Sequence, residues 1–201
     1  MIQALKDRFG SHRVQELDMP EGRLNLVLLD LELNTPVKVL MTNGFRFYEM
    51  PVPEKRKNFS RAELYFCLPS YWDIEDLDNP SMNWIFEWIQ KIPEYVQTNQ
   101  TWLGPGHTFS IGKDKDSISP TMKQDHFILM NPILLEQEMA PVKEGDHEVQ
   151  FYAIMPIFSD EWDYKQGKGT VKFLRKLLAK GVTENLDDFR TTTLKSKWRI
   201  W

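Results

Sequence analysis

The stretch Arg61–Leu68, RAELYFCL, is apolar on both sides and is stopped by Pro69. Successive side chains of a strand point to opposite faces. Ala62, Leu64, Phe66 and Leu68 therefore share one face, and Arg61, Glu63, Tyr65 and Cys67 share the other. A strand that must hide both faces needs a layer above it and a layer below it. The stretch thus predicts a central strand in a sheet covered on both sides. It also constrains Arg61 and Glu63: a charge buried there must be paired, with each other or with groups on adjacent strands.

The rest of the chain supplies the layers. Leu24 to Leu33 is apolar at nearly every position, and Val37 to Met41 follows after Asn34-Thr35-Pro36, which predicts a two-stranded hairpin. Thr42-Asn43-Gly44 reads as a turn. His126 to Met130 and Val149 to Ile154 read as buried strands. Ile2, Leu5 and Phe9 share a helical face that Gly10 can end. Met82, Ile85, Phe86, Ile89 and Ile92 recur at helical spacing, with Trp84 and Trp88 as a second stripe; so wide an apolar arc predicts a helix wedged into the core. Ser81 is its expected N-cap, and Pro93 is expected to kink or restart it. Thr170 to Lys180 predicts an amphipathic helix with Val171, Leu174, Leu177 and Leu178 inward and Gly181 as C-cap. Strands come in runs broken by a few helices, without strict alternation. The expected fold is α+β: one domain over 1–201 with a mixed or antiparallel central sheet flanked by helices, its core at about 24–180 and a possible C-terminal extension over 182–201.

Composition excludes several classes. A net charge of −4 and a pI near 5.6 give no global attraction for nucleic acid. No stretch approaches the ~20 apolar residues that span a bilayer, and the N-terminus has no signal-peptide core, so no membrane association is expected. The single cysteine, Cys67, permits no disulfide within the chain and suits a reducing cytosol, which predicts a cytoplasmic location. His12, His107, His126 and His147 include no i,i+4 pair, and there is no Cys-x-x-Cys, so no metal is expected. Without a nucleotide-binding lysine loop or a G-x-S-x-G elbow, no cofactor and no catalytic residue are expected either. Gly167-Lys168-Gly169-Thr170 lacks the upstream glycine of a phosphate loop and reads as a turn.

Two segments carry polar and aromatic groups together. In TWLGPGHTFSIG, residues 101–112, His107 follows a Gly104-Pro105-Gly106 turn. On a strand it shares a face with Phe109 and not with Ser110, which favours a structural or partner-contacting role; a hydrolase using His107 is the rival. The other segment is Tyr71, Trp72, Asp73, Glu75 and Asp76, an acidic loop without the glycine a calcium loop needs. Interfaces gain most from a few aromatic anchors, with charges steering approach. Tyr71, Trp72, Asp73, Glu75, Asp76, Trp102 and His107 are therefore the expected partner-binding residues; the alternative is that Trp72 and Trp102 cap the core. Arg190 to Trp201 is basic and holds Trp198 and Trp201, which reads as a solvated tail or a docking segment.

The chain resembles the suppressor of fused-like domain family, in particular its short bacterial members. The resemblance runs from about Leu24 to about Leu178. It rests, in order, on VLMTNG (39–44), MPVP (50–53), RAELYFCLP (61–69), WIFEWIQKIPEY (84–95), TWLGPGHTF (101–109), FILMNP (127–132), VQFYAIMPIFSDE (149–161) and YKQGKGTVKFLRKLL (164–178). Gly106-His107-Thr108 matches the family's glycine-histidine-threonine piece, while Gly104-Pro105 stand where its loop varies. Within these segments Arg61, Glu63, Gly104, Gly106, Pro132, Tyr152 and Pro156 are expected to be structural. The resemblance implies a single domain that binds a protein and has no known catalytic activity. Animal relatives restrain a transcription factor. Bacterial relatives look like immunity proteins that bind and neutralise polymorphic toxins encoded beside them, so a toxin is the expected partner. A regulator or scaffold without a toxin is the alternative.

Overall fold

The computed structural model describes residues 1–112 and 117–194. Its strands are β1 (Val14–Leu17), β2 (Asn25–Leu31), β3 (Val37–Asn43), β4 (Ala62–Pro69), β5 (Thr108–Ser110), β6 (His126–Met130), β7 (Val142–Glu144) and β8 (His147–Ile157). They form one sheet in the order β1-β2-β3-β4-β8-β6-β5, with β7 pairing β8 off that path. β4 and β8 run parallel and the other described pairs are antiparallel, so the sheet is mixed and the fold α+β.

β4 lies centrally, and Ala62 through Leu68 are all buried. On one face Leu64, Phe66 and Leu68 pack with Trp84, Ile85 and Ile89 of α2 (Trp84–Thr98). On the other, Tyr65 and Cys67 join Leu5 of α1 (Ile2–Phe9) and Phe173 and Leu177 of a C-terminal helix, Thr170–Leu178. That last helix is α4; α3 (Ser159–Lys168) precedes it across Gly169. No helix among the described residues is long and apolar enough to cross a membrane.

Several local expectations differ from what forms. Thr42 and Asn43 continue β3, and the reversal begins at Gly44, whose φ of 144° a side chain would strain. Asn83, not Ser81, stands at the N-cap of α2; the Ser81 carbonyl accepts the Trp84 indole N–H. Of the kink or restart expected at Pro93 the restart does not occur: α2 runs through with Pro93 buried. In α4 the inward residues are Phe173 and Leu177, while Val171 and Leu178 are exposed. Ala179 is the C-cap, with Gly181 two residues beyond it.

The chain after α4 is part of the fold. Beyond Tyr65, β4 leaves β8, and Cys67 bridges in parallel to Asn185 instead. The Leu186 N–H donates to the Cys67 carbonyl at 2.8 Å, and the Leu186 side chain enters the core. Buried Glu184 accepts the backbone N–H groups of Ile133, Leu134 and Leu135 just after Pro132. Pro156 is buried in β8 opposite Phe127, past the last residue paired with β4, so its missing N–H costs no bond to β4. Lys195 to Trp201, including Trp198 and Trp201, lie outside the described residues.

Glu63 has a different partner from the one its neighbour suggests. Its carboxylate accepts from the Thr42 hydroxyl, from the backbone N–H groups of Gly44, Phe45 and Arg46, and from the Arg46 guanidinium at 2.7 Å. Arg46 reaches on to Glu144, which also pairs with the Met1 ammonium. Arg61 lies outside this network, donating to the Arg46 carbonyl and to Glu49. Burial pushes the Glu63 pKa above the ordinary carboxylate value, and its Thr42, Arg46 and Gly44 donors oppose that shift. The three backbone N–H groups and the guanidinium can only donate to it, so the site is built for the ionised form.

Glu161, in the first turn of α3, anchors the C-terminal segment. It is fully buried and accepts two bonds from Arg190, two from Thr193 and one from the Phe158 N–H that opens the helix. Burial raises its pKa, but Arg190 and these backbone donors more than offset that and hold the carboxyl below its ordinary value of 4.5. A depressed carboxyl stabilises the fold above its unfolded pKa and loses that contribution as pH falls through the folded one. The contribution of Glu161 to thermal stability is therefore expected to be level above about pH 5.5 and to be lost progressively, as an acid limb, below about pH 4.5. Glu161→Gln should flatten that acid limb; an identical acid profile in the variant would show that Glu161 does not set it.

Candidate functional site

The acidic loop leaves the C-terminal end of β4, where Pro69 cannot continue the ladder. Tyr71 and Trp72 are adjacent, and the backbone sends them opposite ways. Tyr71 is exposed. Trp72 is fully buried, edge-on to Trp84 with ring centres 6.0 Å apart, and its indole N–H donates to the Met82 carbonyl. Trp72 is thus a core residue and no surface anchor, which corrects its placement among the partner contacts: an indole beside the apolar top of β4 is better buried than solvated. Asp73, Glu75 and Asp76 are exposed, and Asp73 caps its own loop through the Glu75 N–H.

A second acidic segment meets this loop. The Tyr71 hydroxyl donates to Asp188 at 2.6 Å. Burial, and then Asp188 and Asp187, push the Tyr71 pKa well above its usual value, so it stays a donor at any physiological pH. Asp187 is exposed beside it, and Phe189 is 75% exposed, the most of any large apolar side chain described. The loop of Tyr71, Asp73, Glu75 and Asp76 is thus joined through Tyr71 to the segment that carries Asp187 and Phe189. Sequence reasoning missed these last two. The signal was there in Asp187-Asp188-Phe189, which repeats the acidic and aromatic chemistry of the first loop.

Trp102 and His107 are elsewhere. β5 and β4 run in the same direction, because β4 is parallel to β8 and two antiparallel steps lead from β8 through β6 to β5. The Trp102–His107 loop enters the N-terminal end of β5, whereas Tyr71 follows the C-terminal end of β4. The two loops therefore lie toward opposite ends of the sheet and do not form one face, contrary to the expectation that grouped them.

The His107 loop is firmly built. Its imidazole packs on Trp102 with ring centres 4.5 Å apart. Burial, then the Lys165 and Arg56 cations, push the His107 pKa below the usual histidine value against a hydrogen bond to the Trp102 backbone. The neighbouring hydroxyls serve other groups: Thr108 accepts from the Trp162 indole and Ser110 from the Gly112 N–H. Gly106 has φ +93°, and a Cβ there would lie 2.9 Å from the Thr170 side chain at the start of α4. Gly106→Ala is expected to cost about 1–3 kcal/mol, read as a lower denaturation midpoint; an unchanged midpoint would mean the loop can move off α4. Gly104 is less constrained, since its Cβ would meet the Trp102 ring at an ordinary 3.5 Å.

Among the described residues, neither remaining arrangement of polar side chains has the geometry for catalysis or metal binding. Asp125 accepts from the Ser159 hydroxyl and lies 2.8 Å from the His126 Nδ1, so the carboxylate stands between serine and imidazole and the histidine is not positioned as the serine's base. Among the described residues no group of three or more His, Cys, Asp or Glu side chains is arranged to hold a metal ion.

Residues 22–191 match the family model described as suppressor of fused protein (SUFU). No curated protein matches the sequence. Among solved structures, the chain is similar to a SUFU homolog from Neisseria gonorrhoeae, with a TM-score of 0.66 at 16% identity over 97% of this chain and 95% of that one. It is similar to a chain of the Sufu–Fu complex, with a TM-score of 0.69 at 14% identity over 96% of this chain and 90% of that one. It also matches Drosophila Suppressor of Fused, with a TM-score of 0.65 at 17% identity, covering 96% of this chain but 50% of that one. At these identities the structures establish the fold, and the family match over residues 22–191 of 201 establishes descent. The chain belongs to the suppressor of fused family.

Proposed function

We propose that this protein is a non-enzymatic, cytoplasmic protein-binding domain, and that it serves as an immunity protein against a toxin encoded beside it. Protein binding is supported by the family and by a relative solved as the Sufu–Fu complex. The observation that carries the choice of surface is the Tyr71–Asp188 hydrogen bond, which ties two acidic segments into one surface with Phe189 exposed on it. A basic partner, such as a toxin that attacks nucleic acid, is the complement of that surface. The carboxylates steer approach and select the partner, and Phe189 and Tyr71 supply apolar contact.

The test is co-expression with the neighbouring toxin. The parent is expected to restore growth. A variant carrying Asp73→Ala, Asp76→Ala and Phe189→Ala should keep its fold, because all three side chains are exposed, and should lose affinity by at least about 100-fold along with protection. Full protection by the folded variant would move the surface elsewhere. A parent that binds its neighbour without protecting would make the domain a scaffold or regulator.

A further inference from the structure

A pocket of about 550 Å³ opens at the other end of the sheet, between the segment Glu54–Phe59 and the Trp102–Pro105 loop. Lys55 and Arg56 stand on one side, with Trp102, Phe59 and Pro105 as apolar walls and Tyr152 of β8 among its lining residues. The Arg56 guanidinium lies over the Trp102 ring, 5.5 Å from its centre. Arg56 itself departs from helical geometry, breaking its segment beside the pocket.

The Tyr152 hydroxyl is the unusual feature. Tyr152 is 1% exposed, and its hydroxyl has no hydrogen-bond partner among the described residues. Buried polar groups are nearly always partnered, and an exception calls for an explanation. Burial pushes this phenol up to about 12 while Arg56 pulls it the other way, so the group is a neutral O–H donor within reach of a cation's field. A donor and a guanidinium beside one pocket call for an anionic acceptor.

We propose that this pocket binds the carboxylate of an aspartate or glutamate in an extended segment of a partner protein, with Arg56 and Lys55 supplying charge and the Tyr152 hydroxyl supplying the buried hydrogen bond. A guanidinium, an ammonium and a phenol suit a monoanion with two oxygens. A phosphate would call on loop amides as well, and of the loop residues lining the pocket Pro105 has no N–H while the Leu103 N–H is spent on the Met50 sulfur. The apolar walls suit side chains on either side of the acid. The inference rests on the protein-binding reading but concerns a separate surface of opposite charge.

The probe is acetyl-Pro-Leu-Glu-Leu-Pro-amide, titrated by calorimetry into the full chain beside versions with glutamine or phosphoserine at the centre. The glutamate peptide should bind roughly tenfold tighter than the glutamine peptide. Tyr152→Phe should weaken it by about fivefold. Arg56→Gln, a change at an exposed residue, should erase the difference between glutamate and glutamine. Equal binding of those two peptides, binding of neither, or tighter binding of the phosphoserine peptide would each overturn the proposal. Failure here with the neighbouring protein still bound would remove this pocket alone and leave the acidic surface standing.

Discussion

Glu63→Ala is expected to lower stability by about 3–5 kcal/mol, because it removes one member of a buried ion pair and strands its donors. For a chain of this size that is a fall of roughly 6–20 °C in Tm. The Thr42 hydroxyl, three consecutive backbone N–H groups and the Arg46 guanidinium all lose an acceptor at once. Arg46 keeps Glu144 and Asn43, so the loss is less than that of a fully orphaned charge. Glu63→Gln tests the charge separately from the shape: one oxygen remains as an acceptor, while the amide N–H₂ meets donors. Its melting point should fall between those of the parent and the alanine variant. Calorimetry on the three proteins is the check, and an unchanged Tm in Glu63→Ala would show that the network contributes nothing net.

Trp72→Ala is expected to cost about 3–5 kcal/mol, the usual range for emptying a buried aromatic site. Trp72 fills space between β4 and α2, touches Trp84 edge-on and spends its indole N–H on Met82. Its own carbonyl accepts from Lys38, which ties the loop back to β3. Trp72→Phe should recover most of the loss, leaving the missing N–H bond and the smaller ring. Urea denaturation followed by circular dichroism measures both. A midpoint for Trp72→Ala within experimental error of the parent would place this indole at the surface after all.

What could be read from the sequence followed the range of the interactions. The double-sided burial of β4 was legible because strand alternation is local and every position from Ala62 to Leu68 reports on it. The partner of Glu63 was not. Arg46 lies 17 residues earlier, in a short turn of 3-10 helix over Phe45–Phe47 that shows no periodicity. The inward face of α4 was misplaced because Val171 and Leu178 are as apolar as the residues that go in, and only the packing against Leu5 and Tyr65 selects Phe173 and Leu177. The segment over 182–201 reads in sequence only as a possible extension because its ties are side chain to backbone, as with Glu184 on residues 133–135. Tyr71 and Trp72 show the same limit at the candidate site: both were legible as aromatics on a loop, but which one turns inward was decided by Trp84, twelve residues beyond Trp72.

Calorimetric titration with the protein encoded beside it, at low and at physiological salt, tests the proposed binding of a basic protein at the acidic surface. A one-to-one complex with Kd in roughly the nanomolar range is expected, weakening as salt screens the exposed carboxylates. No heat of binding at either salt concentration, or an affinity indifferent to salt and to loss of Asp73, Asp76 and Phe189, would contradict it.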